Sequence, residues 1–243
     1  IGDEKQAFVH YLDLGLYFNA FDEFVKRINP NSDNKGIYKH IKPGPILEKE
    51  GRIENVLTPG QMMIVQIVKE PISTKGSRLT AEISLAGRNI VLLPFAEKVS
   101  VSQKISSKEE KRRLETLVRS ILPKNYGAII RTAAEGKNAA VLDAEVMSLI
   151  EKWENSWKKL AKSKDVQLLF TEYSKTTTIL RDLLNDSFTN IYVNDENIYE
   201  ETRKYISLIS PEQEKIVKLY KDKTPIFDHF EVTRQIKSSF GKV

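Results

Sequence analysis

The pattern of hydrophobic and polar residues divides the chain into a strand-rich beginning and a helix-rich remainder. Apolar runs at 61–68 and 79–85, the second with partial alternation of apolar and polar residues, predict two strands. The polar segment between them, residues 69–78, predicts a long hairpin tip. Segment 29–58 is rich in Pro, Gly, Asn and Lys and predicts a long loop. The pattern before this loop predicts a strand and then a helix, at 7–12 and 16–28.

Helical periodicity dominates the second half of the chain. Ser107 and Glu110 form a capping-box pattern that predicts a helix start, and Pro123 predicts its end. A long helix is predicted over 138–163, with an apolar face at three- and four-residue spacing made of Val141, Ala144, Met147, Ile150, Trp153, Trp157 and Leu160. The remaining predicted elements are strands at 166–170 and 190–193 and helices at 179–184, 196–208 and 232–240. This mixture is typical of an α+β fold.

Composition limits the classes of function that fit the chain. Its 243 residues are enough for two or three small domains. The chain has no cysteine, which excludes disulfides and thiolate metal sites. No apolar run approaches the ~20 residues of a membrane-spanning helix. The net charge of +5 fits two interpretations, namely binding to a polyanion and a basic surface that faces only solvent.

Two segments, 85–94 and 127–137, each contain an apolar, strand-like run that ends in groups able to bind a phosphate. Gly87 follows an apolar run, and a glycine there lets a ligand approach the backbone. Arg131 and Thr132 put a guanidinium beside a hydroxyl, a pair that can hold a phosphate through parallel hydrogen bonds. The alternative interpretation of Arg131 is a strand-end arginine paired with a carboxylate.

Just beyond this pair, Gly136 and Lys137 predict the entrance of a helix. Backbone N–H groups at a helix start have no partner inside the helix and therefore attract anions. This entrance strengthens the phosphate interpretation of the preceding arginine and threonine.

The opening strands and the basic hairpin tip are compatible with most of a five-stranded OB-type barrel. Such barrels bind single-stranded nucleic acid with exposed aromatic side chains and basic loops. Phe8 is the candidate for stacking on a base, and Lys75, with Arg78 on the tip, is the candidate for contacting phosphate. Core packing is the alternative for Phe8, and a solvated loop charge is the alternative for Lys75.

Motifs for metal-dependent or nucleophilic catalysis are missing from the sequence. The three histidines, His10, His40 and His229, lack the spacing of metal ligands. No predicted strand carries a pair of carboxylates of the kind that two-metal nucleases use. We therefore expect no cofactor or metal ion in this chain.

Several ordered segments resemble the ribonuclease E/G family. They are residues 59–70, 75–76, 79–80, 83–94, 127–137, 218–220, 225–227 and 235–236. Residues 7–10 fit more loosely, as the end of a strand of an S1 domain. The resemblance implies an α+β multidomain fold with three parts: an OB-type S1 β-barrel, incomplete at its start, over 1–87; an α/β 5′-sensor domain over 88–176; and a structural RNase H-like α/β segment over 177–243.

The resemblance also implies roles for individual residues. It assigns binding of an RNA 5′-monophosphate to four residues, Gly87, Val91, Arg131 and Thr132. It assigns S1-type RNA contacts to Phe8 and Lys75. Many family members carry Arg in a Ser-Arg-Lys/Arg-Ile segment where this chain has Gln103. Here Lys104 is the candidate for that phosphate contact.

The function implied by the resemblance is that of a magnesium-dependent, single-strand-specific endoribonuclease of RNA processing and decay in the bacterial cytoplasm. The family's Mg²⁺-binding aspartates and its subunit-linking zinc ligands lie beyond the position of Val243. We therefore expect this chain to bind single-stranded RNA, preferably with a 5′-monophosphate, and not to cleave it. Homo-oligomers are an open possibility for the parent protein. Two alternatives stay open: a non-catalytic RNA-binding adaptor with a vestigial sensor pocket, and a structural domain that binds no RNA.

Overall fold

The computed structural model describes residues 1–42, 44–162, 165–172, 174–185 and 187–241. These residues form two compact units, 1–172 and 173–243. Helices and strands are mixed in both units, which confirms the α+β class. The three-domain division, with boundaries at 87/88 and 176/177, stays a prediction. No helix in the described ranges is long and apolar enough to cross a membrane.

The described part of the first unit contains two small sheets and four α-helices. Strands β1 (Phe8–Val9), β2 (Gln66–Lys69) and β3 (Arg78–Thr80) form the first sheet, in the order β1-β3-β2. Strands β4 (Leu85–Ala86), β5 (Ile90–Pro94), β6 (Val99–Val101) and β7 (Tyr126–Ile130) form the second, in the order β4-β5-β7-β6. The helices are α1 (Phe18–Arg27), α2 (Asn34–His40), α3 (Lys108–Ile121) and α4 (Ala139–Leu160).

The first sheet differs from the strands that the sequence predicts. β3 lies in the middle, parallel to β1 and antiparallel to β2. The prediction of a strand at 61–68 is wrong in its first half, because β2 begins only at Gln66. Ile64 is nevertheless buried, so the apolar run reflects packing rather than strand pairing. The OB-type barrel stays a prediction, since the described strands here form an open three-stranded sheet.

The segment predicted to be a long loop contains helix α2, so that prediction is wrong at 34–40. Asp33 caps this helix, because its side chain accepts the N–H of Lys35 at 3.0 Å. Tyr38 buries its ring in the core of the first unit. Burial of one aromatic side chain stabilises a short helix that composition alone does not reveal.

Helices α3 and α4 pack on the second sheet. The predicted start of α3 is confirmed, since the Ser107 side chain accepts the N–H of Glu110 at 3.2 Å. The predicted apolar face of α4 is wrong in its first turns, because Val141 and Met147 are 42% and 47% exposed. The face that is buried consists of Leu142, Val146, Leu149, Ile150, Trp153 and Trp157. It follows the 3.6-residue period back from the two tryptophans, which are core residues as predicted.

An aromatic cluster fills the core between helices α1, α2 and α4 and the second sheet. It consists of Phe21, Phe24, Tyr38, Phe95, Tyr126, Trp153 and Trp157. The buried Tyr38 hydroxyl donates to the carbonyl of Asn125 at 2.9 Å and accepts the N–H of Phe95 at 3.1 Å. Asn125, at a positive φ of 67°, donates its side-chain amide to the carbonyls of Tyr38 and Ile41 at 2.8 and 2.9 Å. These bonds tie α2 to the sheet.

The end of the first unit has no strand where one was predicted. Residues 166–170 are irregular, so the predicted strand there is wrong. Phe170 lies under the ammonium group of Lys152 on α4, with 5.2 Å from the nitrogen to the ring centre. Leu169 and Phe170 pack against the core of the first unit without a sheet partner, whereas Val166 and Leu168 are exposed. The predicted end of the preceding helix, at Ser163, lies outside the described residues.

The second unit has its own small core. In the described ranges its strands β8 (Ile191–Val193) and β9 (Val217–Leu219) pair in parallel. Its helices are α5 (Lys175–Leu183), α6 (Glu196–Ile209), α7 (Ile226–His229) and α8 (Val232–Phe240). The predicted helices and the strand of this part are confirmed with small shifts of their ends. Leu180, Tyr205, Ile206 and Val217 are among its buried residues.

Candidate nucleic-acid interface

Residues 87–89 form a tight turn between β4 and β5, and this turn is the centre of the first candidate site. The N–H of Gly87 donates to the carbonyl of Ile90 at 2.8 Å. A Cβ atom at Gly87 would lie 2.7 Å from that carbonyl oxygen and 2.5 Å from a carboxylate oxygen of Glu145. The position therefore requires glycine because of space, since two groups approach its backbone closely.

The structure brings Arg131 to this turn, as the sequence predicts. Its N–H donates to the carbonyl of Asn89 at 2.8 Å, and its Nη1 donates to the carbonyl of Gly87 at 2.9 Å. The side chain is partly buried at the end of β7. The hydrogen bond to Gly87 holds the planar guanidinium in one orientation. A bidentate contact with a phosphate needs a guanidinium that is oriented in this way.

Thr132 and Val91 lie near this arginine along the chain and across the sheet. Thr132 is exposed and opens a short 3-10 helix, Thr132–Ala134. Val91 is half-buried and pairs with Ile129 of β7, two residues before Arg131. Because Ile90 and Leu92 face the core, Val91 faces the opposite side of the sheet.

Sequence reasoning missed Glu145, which packs directly against the turn. Its carboxylate accepts the N–H of Arg88 at 2.5 Å and the N–H of Asn89 at 3.1 and 3.2 Å. Burial raises the pKa of Glu145, and the bonds from Asn89 and Arg88 and the charge of Arg131 oppose this rise. The sequence feature that could have revealed Glu145 is its position on α4 between Leu142 and Leu149, which are both buried.

The alternative interpretation of Arg131, a partner of a carboxylate, therefore has support. The negative charge of Glu145 acts on Arg131 electrostatically, and Nη1 of the guanidinium donates a hydrogen bond to the carbonyl of Gly87. Both features belong to one arrangement, in which the carboxylate holds the turn and the turn orients the arginine.

The predicted anion site at Gly136 and Lys137 is wrong. The N–H of Gly136 donates to the Glu110 carboxylate at 2.8 Å. Helix α4 begins later, at Ala139, and Asn138 caps it by accepting the N–H of Val141 at 3.0 Å. The N–H groups of Gly136 and Val141 therefore already have partners and are not offered to an anion.

Lys104, which the sequence puts forward as a further phosphate contact, lies in a segment beside the end of β7. The N–H of Ser102 donates to the carbonyl of Ile130 at 2.8 Å, one residue before Arg131. Lys104 itself is exposed. Its charge is therefore available in the region where the guanidinium lies.

Phe8 and Lys75 define a second candidate surface, on the first sheet. Phe8 is 39% exposed and contacts His10 edge to face, with ring centres 5.6 Å apart. Its N–H donates to the carbonyl of Ser77 at 3.0 Å, two residues after Lys75 in the hairpin tip. A Cβ atom at Gly76 would lie 2.0 Å from the carbonyl of Gln6, so glycine lets the start of the chain pack against the tip. The structure thus brings the two predicted residues into one region.

Arg78 is engaged elsewhere on this surface. It forms a bidentate ion pair with Asp13, with both nitrogen–oxygen distances at 3.0 Å. The hydrogen bond from Arg78 holds the pKa of Asp13 below its ordinary value. Arg78 therefore links β3 to the 3-10 helix Tyr11–Leu14, which contains Asp13. Lys75, in contrast, is exposed.

No group of three or more His, Asp or Glu side chains in the described ranges lies close enough to hold a metal ion. The described part of the chain thus presents two surfaces. One carries an oriented guanidinium at a glycine turn, and the other carries an exposed aromatic ring near a lysine. Both features are of the kind that can contact an extended, negatively charged ligand.

Comparison with known proteins identifies the family of this chain. The model of the ribonuclease E/G family matches residues 84–243, which include the glycine turn and the arginine. The chain therefore belongs to the ribonuclease E/G family, and the resemblance seen in the sequence is confirmed.

Individual relatives agree with this assignment. Ribonuclease G of Haemophilus influenzae is 31% identical over 242 residues, which cover 100% of this chain and 45% of the relative. Ribonuclease G of Escherichia coli K12 is 34% identical over 78% of this chain and 39% of the relative. Ribonuclease E of Nostoc is 28% identical over 98% of this chain and 31% of the relative. The chain thus spans less than half the length of these relatives.

Proposed function

We propose that this chain is the RNA-binding and 5′-monophosphate-sensing part of a magnesium-dependent, single-strand-specific endoribonuclease of RNA processing and decay. The observation that carries the proposal is the position of Arg131, whose guanidinium is oriented by the carbonyl of Gly87 at 2.9 Å. Thr132 follows it as an exposed hydroxyl, and Val91 adds an apolar side chain on the outer face of the same sheet.

The energy of such a contact is sufficient for discrimination between RNA ends. A charge-assisted hydrogen bond contributes ~1.5–3 kcal/mol. Since about 1.4 kcal/mol corresponds to a factor of ten in affinity, one such contact favours a 5′-monophosphate over a 5′-hydroxyl by roughly one to two orders of magnitude. The basic net charge of +5 supports RNA affinity that does not depend on the 5′ end.

The test is a comparison of two short single-stranded RNAs of identical sequence, one with a 5′-monophosphate and one with a 5′-hydroxyl, at fixed salt. We expect the wild-type chain to prefer the monophosphate by about tenfold or more, and Arg131→Ala to bind both RNAs equally. Arg112→Ala, at an exposed position of α3, removes the same charge and should keep the preference. Equal binding of both RNAs by the wild-type chain would refute the sensing function.

For the second surface we propose that Phe8 stacks on a base and Lys75 contacts a phosphate. Stacking of a base on an aromatic side chain contributes ~1–3 kcal/mol. Phe8→Ala should therefore weaken binding of both RNAs by a similar factor, and Lys75→Ala should reduce the salt dependence of binding. Leu12→Ala, which also removes an exposed apolar side chain, is the matched control for Phe8. An effect of Phe8→Ala on only one of the two RNAs would contradict this assignment.

We also propose that the chain binds RNA without cleaving it, and that Mg²⁺ belongs to the catalytic part of the parent protein. Incubation of labelled single-stranded RNA with the purified chain and Mg²⁺ tests this, with a chelator as the control. Cleavage that depends on Mg²⁺ and on the chain would overturn the proposal.

One observation favours the second candidate, an adaptor with a vestigial sensor pocket. The carboxylate of Glu145 acts on Arg131 and weakens the attraction of the site for a phosphate. This candidate predicts RNA affinity that follows salt and length and ignores the 5′ end. The comparison of the two RNA ends separates the candidates directly.

A further inference from the structure

Glu145 is a half-buried carboxylate of the first unit that the proposed function does not use. It lies on the core-facing side of α4, near Leu142 and Leu149, yet its carboxylate reaches the 87–89 turn. A partly buried carboxylate loses hydration, so it is stable there only with compensating hydrogen bonds. The compensation comes from two consecutive backbone N–H groups, those of Arg88 and Asn89.

These bonds have a geometric consequence for the turn. The N–H groups of Arg88 and Asn89 both point towards α4, which fixes the orientation of the two peptide planes. The carbonyl of Asn89 then accepts the backbone N–H of Arg131, and the carbonyl of Gly87 accepts its Nη1. A chain of hydrogen bonds thus runs from Glu145 through the turn to the guanidinium.

We propose that Glu145 is a positioning residue for RNA 5′-end recognition, acting through the 87–89 turn to set the orientation of Arg131. The inference rests on the proposed sensing function and adds a residue on a distant helix to it. The essential property of Glu145 is its ability to accept hydrogen bonds from the turn. Its negative charge opposes an incoming phosphate and is not the useful property.

Three substitutions separate hydrogen bonding from charge and from packing. Glu145→Gln keeps one carbonyl oxygen that can accept the two N–H groups and removes the charge. Glu145→Ala removes the acceptor and leaves a cavity, whereas Glu145→Leu removes the acceptor and keeps an apolar side chain of similar size in the stripe. Glu151→Ala, at an exposed position of the same helix, is the control.

The readout is the ratio of affinities for RNA with a 5′-monophosphate and RNA with a 5′-hydroxyl. We expect Glu145→Ala and Glu145→Leu to reduce this ratio by about tenfold, which corresponds to the loss of roughly 1.4 kcal/mol of selective binding. Affinity for the 5′-hydroxyl RNA should stay unchanged, because it depends on other surfaces. Glu145→Gln should keep or raise the ratio, because it retains an acceptor for the turn and removes the charge that opposes a phosphate. Glu151→Ala should keep the ratio of the wild-type chain. Circular dichroism and thermal unfolding establish whether each variant is folded. If the alanine variant is not folded, the leucine variant alone tests the loss of the acceptor.

Two results would overturn the inference. One is an unchanged ratio in the folded leucine or alanine variant. The other is loss of the ratio in the glutamine variant, since charge rather than hydrogen bonding would then be the essential property. Failure of the proposed function gives a different pattern, in which the wild-type chain itself does not distinguish the two RNAs.

Discussion

Substitution of Gly87 by alanine tests the close packing at the centre of the candidate site. The new Cβ atom would lie 2.7 Å from the carbonyl oxygen of Ile90 and 2.5 Å from an oxygen of Glu145. The carbonyl is backbone and already accepts the N–H of Gly87, so it cannot move without breaking the turn. The carboxylate can move only by releasing Arg88 or Asn89. The turn must therefore distort.

The size of this effect follows from overpacking. Insertion of a methyl group into a tightly packed region costs about 1–3 kcal/mol. For a unit of this size each kcal/mol lowers the melting temperature by about 2–4 °C, so we expect a decrease of roughly 2–12 °C. Distortion of the turn also displaces the carbonyl that orients Arg131, so the preference for a 5′-monophosphate should disappear in the same variant.

The assay combines thermal unfolding with the comparison of the two RNA ends. Gly36→Ala is the control, because nothing lies within 4 Å of the added atom and alanine favours a helix. The double variant Gly87→Ala/Glu145→Ala removes one of the two clashes and should lose less stability than the sum of the single variants. A melting temperature and an RNA preference equal to those of the wild-type chain in Gly87→Ala would refute the reasoning.

Two further predictions concern the rest of the first unit. Tyr38→Phe leaves the buried N–H of Phe95 and the carbonyl of Asn125 without the hydroxyl, so urea unfolding should show a free energy of unfolding that is lower by about 1–3 kcal/mol. Tyr192→Phe, at an exposed position, should not change this free energy. An unchanged midpoint in Tyr38→Phe would contradict the assigned bonds. The hydrogen bond from Arg113, and then that from Gly136, lowers the pKa of Glu110 from 4.5 to about 2. Because this pKa is lower in the folded state, the stabilisation by the Glu110 carboxylate is complete above pH 4.5 and fades as the pH falls towards 2. The difference in melting temperature between the wild-type chain and Glu110→Gln should therefore shrink over that interval. A difference that is constant with pH would contradict this assignment.

The extent to which the sequence predicted the structure depends on how local each signal is. The start of α3 was predictable because Ser107 and Glu110 are three residues apart and their bond is local. Helix α2 was not, because burial of Tyr38 depends on Asn125 and Trp157, far along the chain. A composition that is typical of loops is overridden by one tertiary anchor.

The candidate site shows the same distinction. Gly87 and Arg131 were each candidates because they follow apolar runs, and the family resemblance joined them in one pocket. The structure brings them together because β5 and β7 are neighbours in the sheet. Glu145 was missed because the N–H groups that its carboxylate accepts, those of Arg88 and Asn89, lie 57 and 56 residues away along the chain. The N–H of Gly136 was expected to be free, but the side chain of Glu110 on α3 accepts its hydrogen bond. The sequence does not show this contact, because it joins two separate elements.

The hydrogen bond between Tyr38 and Asn125 joins residues 87 positions apart, and this separation has a consequence for synthesis of the chain. Phe21, Phe24 and Tyr38 leave the ribosome long before Trp153 and Trp157, their partners in the core. At roughly 5–20 residues per second, the interval between Tyr38 and Trp153 lasts about 6–23 s. During this time the aromatic side chains of α1 and α2 lack their partners on α4, so the first unit completes its core only after α4 has emerged.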